Sequence, residues 1–457
     1  MKPAALDSLV TRTVSGVLFP LQERLKGHHS VVLRRDLERS QWWSADQLQA
    51  HRVGRLRDFL VRIGTEVPYY REMFTRLGFD PRGVNSLASL QRLPLLDKAT
   101  IRAHGAALKS GTAGPLTRYN TGGSSGEPLI FYMDRERKSH DVAAKWRATR
   151  WWGVDIGDRE LVVWGSPVEL GAQDRLRQWR DALMRSHLLP AFEMSAANLD
   201  RFVATIRRVR PTMLFGYPSS LSLIAQHARR LGQRMDDLGI RVAFVTSERL
   251  YDEQRQVIGE VFGCQVANGY GARDAGFIAH ECPAGSLHIS AEDIVVETVR
   301  ADGAPTALGE AGEIVVTHLC TPGFPFVRYR TGDVGVLDDG RCACGRGLPL
   351  LRELQGRTTD FVVAADGTVM HGLALIYILR DLPGVERFKV TQQTRQLTRV
   401  ELVPSATFNR ALVPRIVEGF RRRLGAEVEV RVDLVADIAA ERSGKYRYIV
   451  SHALHAG

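Results

Sequence analysis

Apolar positions change their spacing twice along this chain. Up to about residue 110 they recur every three to four residues. In SADQLQAHRVGRLRDFLVRIG (44–64), Leu48, Val53, Leu56, Phe59, Leu60 and Ile63 fall on one helical stripe, with Ser44 or Asp46 placed to cap it. VPYYREMF and the Pro-bounded RLPLLDKATIRAH follow, and region 1–110 reads as a helical scaffold. Over 139–270, short apolar runs (RELVVWG, PTMLFGY, RVAFVTS, CQVANGYG) alternate with helical patterns (SHDVAAKWRATRWWG, NLDRFVATIRRV, PSSLSLIAQHARRLG, DEQRQVIGEVFG). That alternation predicts a largely parallel sheet with helices on its faces. The loops FGYPSS, TSERL and GYGARD leave its strands at their carboxyl ends, where such sheets bind ligands.

Over 286–355 the period shortens toward two. LHISAEDIVVETV and GEIVVTHL read as strands, with Gly-rich turns at ADGAP and LGEAG. After GRTTD (356–360) a new unit holds FVVAADGTVM, the helix LALIYILRDL, the strands FKVTQQ and TRVELV, the helix PRIVEGFRRRLG and the strand VEVRVDLV. The expected class is α/β. A large N-terminal domain spans 1–355 (helical 1–110, α/β 111–285, a β-rich subdomain 286–355). A small α+β C-terminal domain spans 356–457.

Composition narrows the class. The chain of 457 residues is 44% hydrophobic and 25% charged, as in ordinary globular proteins of two or three domains. No run of eighteen apolar residues exists, so no spanning helix is expected. Asp7 and Arg12 interrupt the first thirty residues, which read as an amphipathic surface helix rather than a secretory signal. A cytoplasmic chain with five reduced cysteines follows from that reading. The net charge is +11, but 54 of the 62 basic residues are Arg. They are scattered over helical faces (Arg207, Arg208, Arg229, Arg230, Arg421, Arg422), as expected of solvated faces and not of a nucleic-acid binder. Small anionic substrates suit the charge.

Two groups of residues carry candidate chemistry. YNTGGSSGEPL (119–129) concentrates glycine and serine, a composition that brings backbone N–H groups and hydroxyls close to an anion. Cys282 and His288 flank the turn PAGSL, and Cys342 and Cys344 form C-A-C. Three thiolates and one imidazole make a tetrahedral zinc set, whereas Cys264 and Cys320 sit in apolar contexts and read as core.

YNTGGSSGEPL, GYGARDAG, YRTGD, GRTTD and SGKYR occur in one order across the chain. In that order they resemble the adenylate-forming enzymes, nearest to the phenylacetate–coenzyme A ligase branch and its capsule-biosynthesis-like members. VPYYREMF, LPLLDKATIR and the pair HECPAGSLHI…CACGRGLPL resemble the same branch, whose members carry similar cysteines. The resemblance implies a two-step reaction. A carboxylate attacks the α-phosphorus of ATP to give an acyl-adenylate, and coenzyme A or an amine then displaces AMP. It also implies site residues. Thr121, Gly122, Gly123, Ser124, Ser125 and Gly126 would cradle phosphates, with Glu127 departing from the family's basic residue. Ser247, Glu248, Tyr270 and Gly271 would line the nucleotide, and Asp333 would hold both ribose hydroxyls. Asp274 would bind Mg²⁺ where the family has Glu. Arg357 would approach ribose or phosphate, and Asp360, preceded by Thr359 instead of an acid, would mark a hinge. Phe215, Gly216, Tyr217, Gly269 and Phe277, with Trp164, would shape the acid pocket. Lys445 is the last of only 8 lysines. Its compact ammonium suits a bridge between carboxylate and α-phosphate better than a planar guanidinium does. Competing readings are an amine-using amide ligase and a non-catalytic nucleotide-binding protein of polysaccharide or natural-product assembly. A homodimer is also compatible.

Overall fold

The computed structural model describes residues 3–121, 129–164, 180–191, 193–300, 302–354, 361–380, 382–438 and 449–453. The helix Ala45–Glu66 forms where the stripe places it. The Ser44 side chain accepts from the Gln47 amide while the Gln47 side chain returns to the Ser44 amide, a reciprocal cap. Its stripe buries Leu48, Leu56, Phe59, Leu60 and Ile63 against Tyr70, Met73 and Phe74 of the helix Pro68–Leu77. Each such side chain contributes about 1.5–3 kcal/mol on burial.

The expected parallel sheet is present and larger than its pattern suggested. From one edge inward run Ser186–Pro190, Glu160–Trp164, Met213–Gly216, Val242–Thr246 and Gln265–Ala272, all parallel. Antiparallel strands continue the same sheet through Gly276–Glu281, Leu287–Ile289, Leu350–Leu354, Tyr329–Asp338, Ala311–His318 and Ile294–Val299. The β-rich stretch 286–355 is therefore the second half of one sheet of 11 strands among the described residues. The helices Ala196–Val209, Pro218–Arg230 and Asp252–Phe262 cover one face of the parallel half, burying Leu199, Phe202, Ile206, Leu221, Ile224 and Val257. The helix Arg135–Arg150 covers the opposite face, where Ala148 meets Phe215, Phe244 and Ala267.

LHISAEDIVVETV, expected as one strand, forms two. The chain turns over Ser290–Asp293, where both acids point inward, Glu292 to the buried Arg147 and Asp293 to the half-buried Arg55. Arg147 meets Glu292 at 2.6 Å and Arg55 meets Asp293 at 2.6 Å.

The C-terminal unit forms a sheet in the order Glu429–Leu434, Leu397–Pro404, Val385–Gln392, Ile449–Ser451. The helices Leu373–Arg380 and Val413–Leu424 share its core with Phe388, Val390 and Leu402. Its leading hairpin, Phe361–Val363 with Val369–His371, pairs Val369 with Met194 and Met370 with Glu193 of the preceding domain.

Candidate active site

The parallel strands set the location. Val163 pairs with Gly216, Gly216 with Val245, and Thr246 with Gly269. Trp164, Tyr217, Ser247 and Tyr270 thus stand one step further on, at the carboxyl edge. Ser247 has φ +73°, a left-handed conformation that costs a non-glycine residue about 1 kcal/mol or more. The next residue, Glu248, accepts from the Ser219 amide at 3.4 Å and from the Ser219 hydroxyl, at the start of the helix Pro218–Arg230.

The strand Gln265–Ala272 folds back through Arg273–Ala275 into Gly276–Glu281, with a bulge between Tyr270 and Gly271. A Cβ on residue 271 would lie 2.5 Å from the Gly276 carbonyl oxygen, so this hairpin closes only on glycine. Asp274 is buried in the turn, and its Oδ2 accepts from the Tyr329 hydroxyl at 2.6 Å. Arg137 grips the turn from the helix Arg135–Arg150, donating to the Asp274 and Arg273 carbonyls at 3.2 Å each. Two residues beyond Tyr329, Thr331 donates to the Ile314 carbonyl at 2.9 Å and accepts from the Asp333 amide at 3.1 Å. The Tyr270 hydroxyl joins Thr331 and Asp333, donating to Asp333 Oδ2 at 3.1 Å.

The Gly/Ser loop departs from this place. Thr117–Asn120 and Ile130–Met133 pair as a hairpin, and Thr121 and Leu129 bond to each other at its mouth. Arg273 donates to the Asn120 carbonyl at 3.3 Å, tying the hairpin to the turn that carries Asp274. Thr121 is therefore one residue from the carbonyl that Arg273, in the Asp274 turn, holds. Gly122, Gly123, Ser124, Ser125, Gly126 and Glu127 lie outside the described residues, as do Arg357, Thr359, Asp360 and Lys445.

The expected acid-pocket residues divide. Trp164 stacks on Tyr217 at 4.4 Å, and Phe215 lies between Trp164 and Phe244 at 6.1 and 5.9 Å. Lys145 holds its ammonium 4.0 Å above Phe215. Phe277 stacks on His280 at 5.5 Å. Burial pushes that imidazole down to about 3, so it is neutral at ordinary pH. Gly216 and Gly269 serve close packing, since a Cβ would stand 2.4 Å from the Val163 carbonyl oxygen and 2.7 Å from the Phe244 ring.

Two contacts within this candidate site were missed by the sequence reading. Tyr329 lies inside the quoted YRTGD, so the motif contained its signal. Arg137 had none, because its role depends on backbone carbonyls 136 and 137 positions away.

Cys282, His288, Cys342 and Cys344 converge at the seam of the antiparallel strands, with ligand atoms all within 4.8 Å of one another. Cys282 and Cys342 sulfurs are 3.5 Å apart, near the roughly 3.8 Å expected between thiolates on one tetrahedral zinc ion. His288 Nδ1 lies 3.3 Å from the Leu348 carbonyl, and Nε2 faces the Cys344 sulfur at 3.2 Å. A ring nitrogen committed to a carbonyl while the other faces the ligand set is the arrangement of a metal-bound histidine. Burial holds His288 down to about 4, hence neutral, as ligation requires. The donor set fits zinc.

A mixed sheet of this topology with a small C-terminal domain is the fold of the adenylate-forming acyl-coenzyme A ligases. A 2-hydroxyisobutyryl-CoA ligase, solved with 2-HIB-AMP and CoA in its thioesterification state, superposes with TM-score 0.65 at 19% identity, covering 90% of this chain and 91% of that one. The same ligase in its postadenylation state gives 0.60 at 20% identity, covering 90% and 91%. The homologues are phenylacetate–coenzyme A ligases and CapK. The phenylacetate–coenzyme A ligase of Thermus thermophilus is 26% identical over 327 residues, 70% of this chain and 72% of that protein. Protein CapK of Staphylococcus aureus is 20% identical over 409 residues, 87% and 88%. Residues 362–452 match the family described as the CapK C-terminal domain.

Proposed function

We propose that this protein is an AMP-forming ligase that activates a carboxylic acid with ATP and passes the acyl group to coenzyme A. The first step joins a carboxylate oxygen to the α-phosphorus and releases pyrophosphate. In the second, the thiol sulfur attacks the acyl carbon, AMP leaves and the thiol proton is lost.

One observation carries the reading. Asp274 is hydrogen-bonded to Tyr329, and Asp333 to Tyr270 and Thr331, on neighbouring segments of the sheet, while the base of the Gly/Ser hairpin is tied through Arg273 to the turn that carries Asp274. Their chemistry suits a nucleotide. Asp333, oriented by Tyr270, offers a carboxylate to a vicinal diol. The loop begun at Thr121 supplies amides and hydroxyls for phosphates. Asp274 is the residue to hold Mg²⁺, which would neutralise phosphate charge. Its Oδ2 already accepts a hydrogen bond from the Tyr329 hydroxyl, which favours contact through water. Lys445 supplies a point charge for the oxygens that react. The cysteine–histidine set holds a structural zinc that staples the seam and takes no part in the chemistry.

The test is pyrophosphate exchange into ATP over a panel of acids, followed by product masses with coenzyme A or amines. An acid-dependent exchange with a thioester product supports the reading. ATP binding without exchange on any acid favours a non-catalytic protein.

A further inference from the structure

The first helix turns an apolar face to solvent. Pro3–Thr13, one wider π-helical turn Val14–Leu18, and Phe19–Leu25 run as one rod. Pro20 has no N–H to give the preceding turn, which is consistent with the local widening. The inward face is committed. Val14, Phe19 and Glu23 are buried, and Phe19 meets the Trp146 ring edge-on at 5.1 Å. The outward face carries Leu9, Val17, Leu21 and Leu25, which are 54, 60, 54 and 81% exposed. With Val32 (57%) on the following helix, Ser30–Ser40, they are five of the thirteen exposed large hydrophobics among the described residues. Val17, Leu21 and Leu25 are spaced by four, which in an α-helix drifts about 40° per step. The wider π turn Val14–Leu18 offsets part of the drift between Leu9 and Leu21.

Charge on this segment is sorted as well. Both acids of the rod are engaged by the protein: Asp7 binds Arg159 at 3.0 Å and Arg185 at 2.8 Å, and Glu23 binds Lys26 and His28. Arg12 and Arg24 on the rod, and Arg35 beyond it, are exposed, while Lys26 is exposed but paired with Glu23 and the exposed Asp36 is paired with Arg39. A second copy would bring like charges together. An anionic surface would not.

We infer that this face docks on a membrane surface rich in anionic lipid, the rod lying in the headgroup plane with Leu21 and Leu25 inserted. Apolar burial and basic side chains both contribute to such binding, about 1 kcal/mol for each Lys or Arg near the surface. No helix among the described residues is long and apolar enough to cross the bilayer, so the association is peripheral.

The test is flotation of the full chain with vesicles of phosphatidylcholine, with and without phosphatidylglycerol. The wild type floats with the anionic vesicles, and high salt releases it. Leu21→Gln/Leu25→Gln and Arg12→Gln/Arg24→Gln each weaken partitioning at least about tenfold. Both leave thermal unfolding and solution pyrophosphate exchange unchanged, so this outcome stands apart from the proposed reaction. Absent flotation, or flotation undiminished in both variants, overturns the inference. A dimer seen by light scattering and lost in Leu21→Gln/Leu25→Gln, without flotation, overturns it in favour of a second copy.

Discussion

Tyr329 presents its hydroxyl to a buried carboxylate, Asp274, and removing that donor leaves the carboxylate underpaired. An unpaired buried acceptor costs about 1–3 kcal/mol. Tyr329→Phe should raise the Mg²⁺ concentration for half-maximal exchange and lower the rate about tenfold or more. Metal titrations of the exchange rate measure this, and an unchanged Mg²⁺ dependence would remove Tyr329 from the site. At this scale much was legible. Tyr270, Asp274 and Asp333 were singled out as candidates because their motifs recur in one order along the chain, and the structure gives each a hydrogen-bond partner. Tyr329 went unassigned although its motif was quoted, since a tyrosine at a strand start reads equally well as core. Arg137 was invisible, because a guanidinium that holds backbone carbonyls selects no particular partner side chain.

Elements were legible where the cap and the stripe agree. Ser44 and Gln47 close the start of the helix Ala45–Glu66 as its pattern requires. The helix Arg135–Arg150 begins before the expected Ser139, because Asp134 caps it and Arg135–Lys138 show no apolar periodicity. The split of LHISAEDIVVETV was hidden for another reason: alternation does not reveal that Glu292 is buried against Arg147. The pair lies at 2.6 Å with both side chains almost wholly excluded from water. Glu292→Ala strands the guanidinium and should cost about 3–5 kcal/mol in denaturant unfolding. A loss below about 1 kcal/mol would mean the pair contributes little. The cysteine–histidine set belongs to this scale too, because it joins the strand Leu287–Ile289 to the loop before Leu350–Leu354. Purified protein should carry one zinc per chain. Cys344→Ser should lose it and unfold at lower temperature, while a metal-free wild type of equal stability would contradict the assignment.

The molecule as a whole was only partly legible. Periodicity separated a parallel stretch from an antiparallel one, but it could not show that both are halves of one sheet, since strand order is set by pairing and not by composition. Nor could it show the C-terminal hairpin pairing with Glu193–Met194. That pairing is made between backbones, a contact that leaves little trace in residue choice. The proposed reaction depends on both parts of the chain at once, because the proposed nucleotide-binding residues precede the C-terminal unit and Lys445 lies within it. It is tested most directly by acid-dependent pyrophosphate exchange in wild type and Lys445→Ala. The account predicts exchange in the wild type and a loss of at least about 10²-fold in the variant, with ATP affinity largely kept. Equal exchange in both proteins would contradict it.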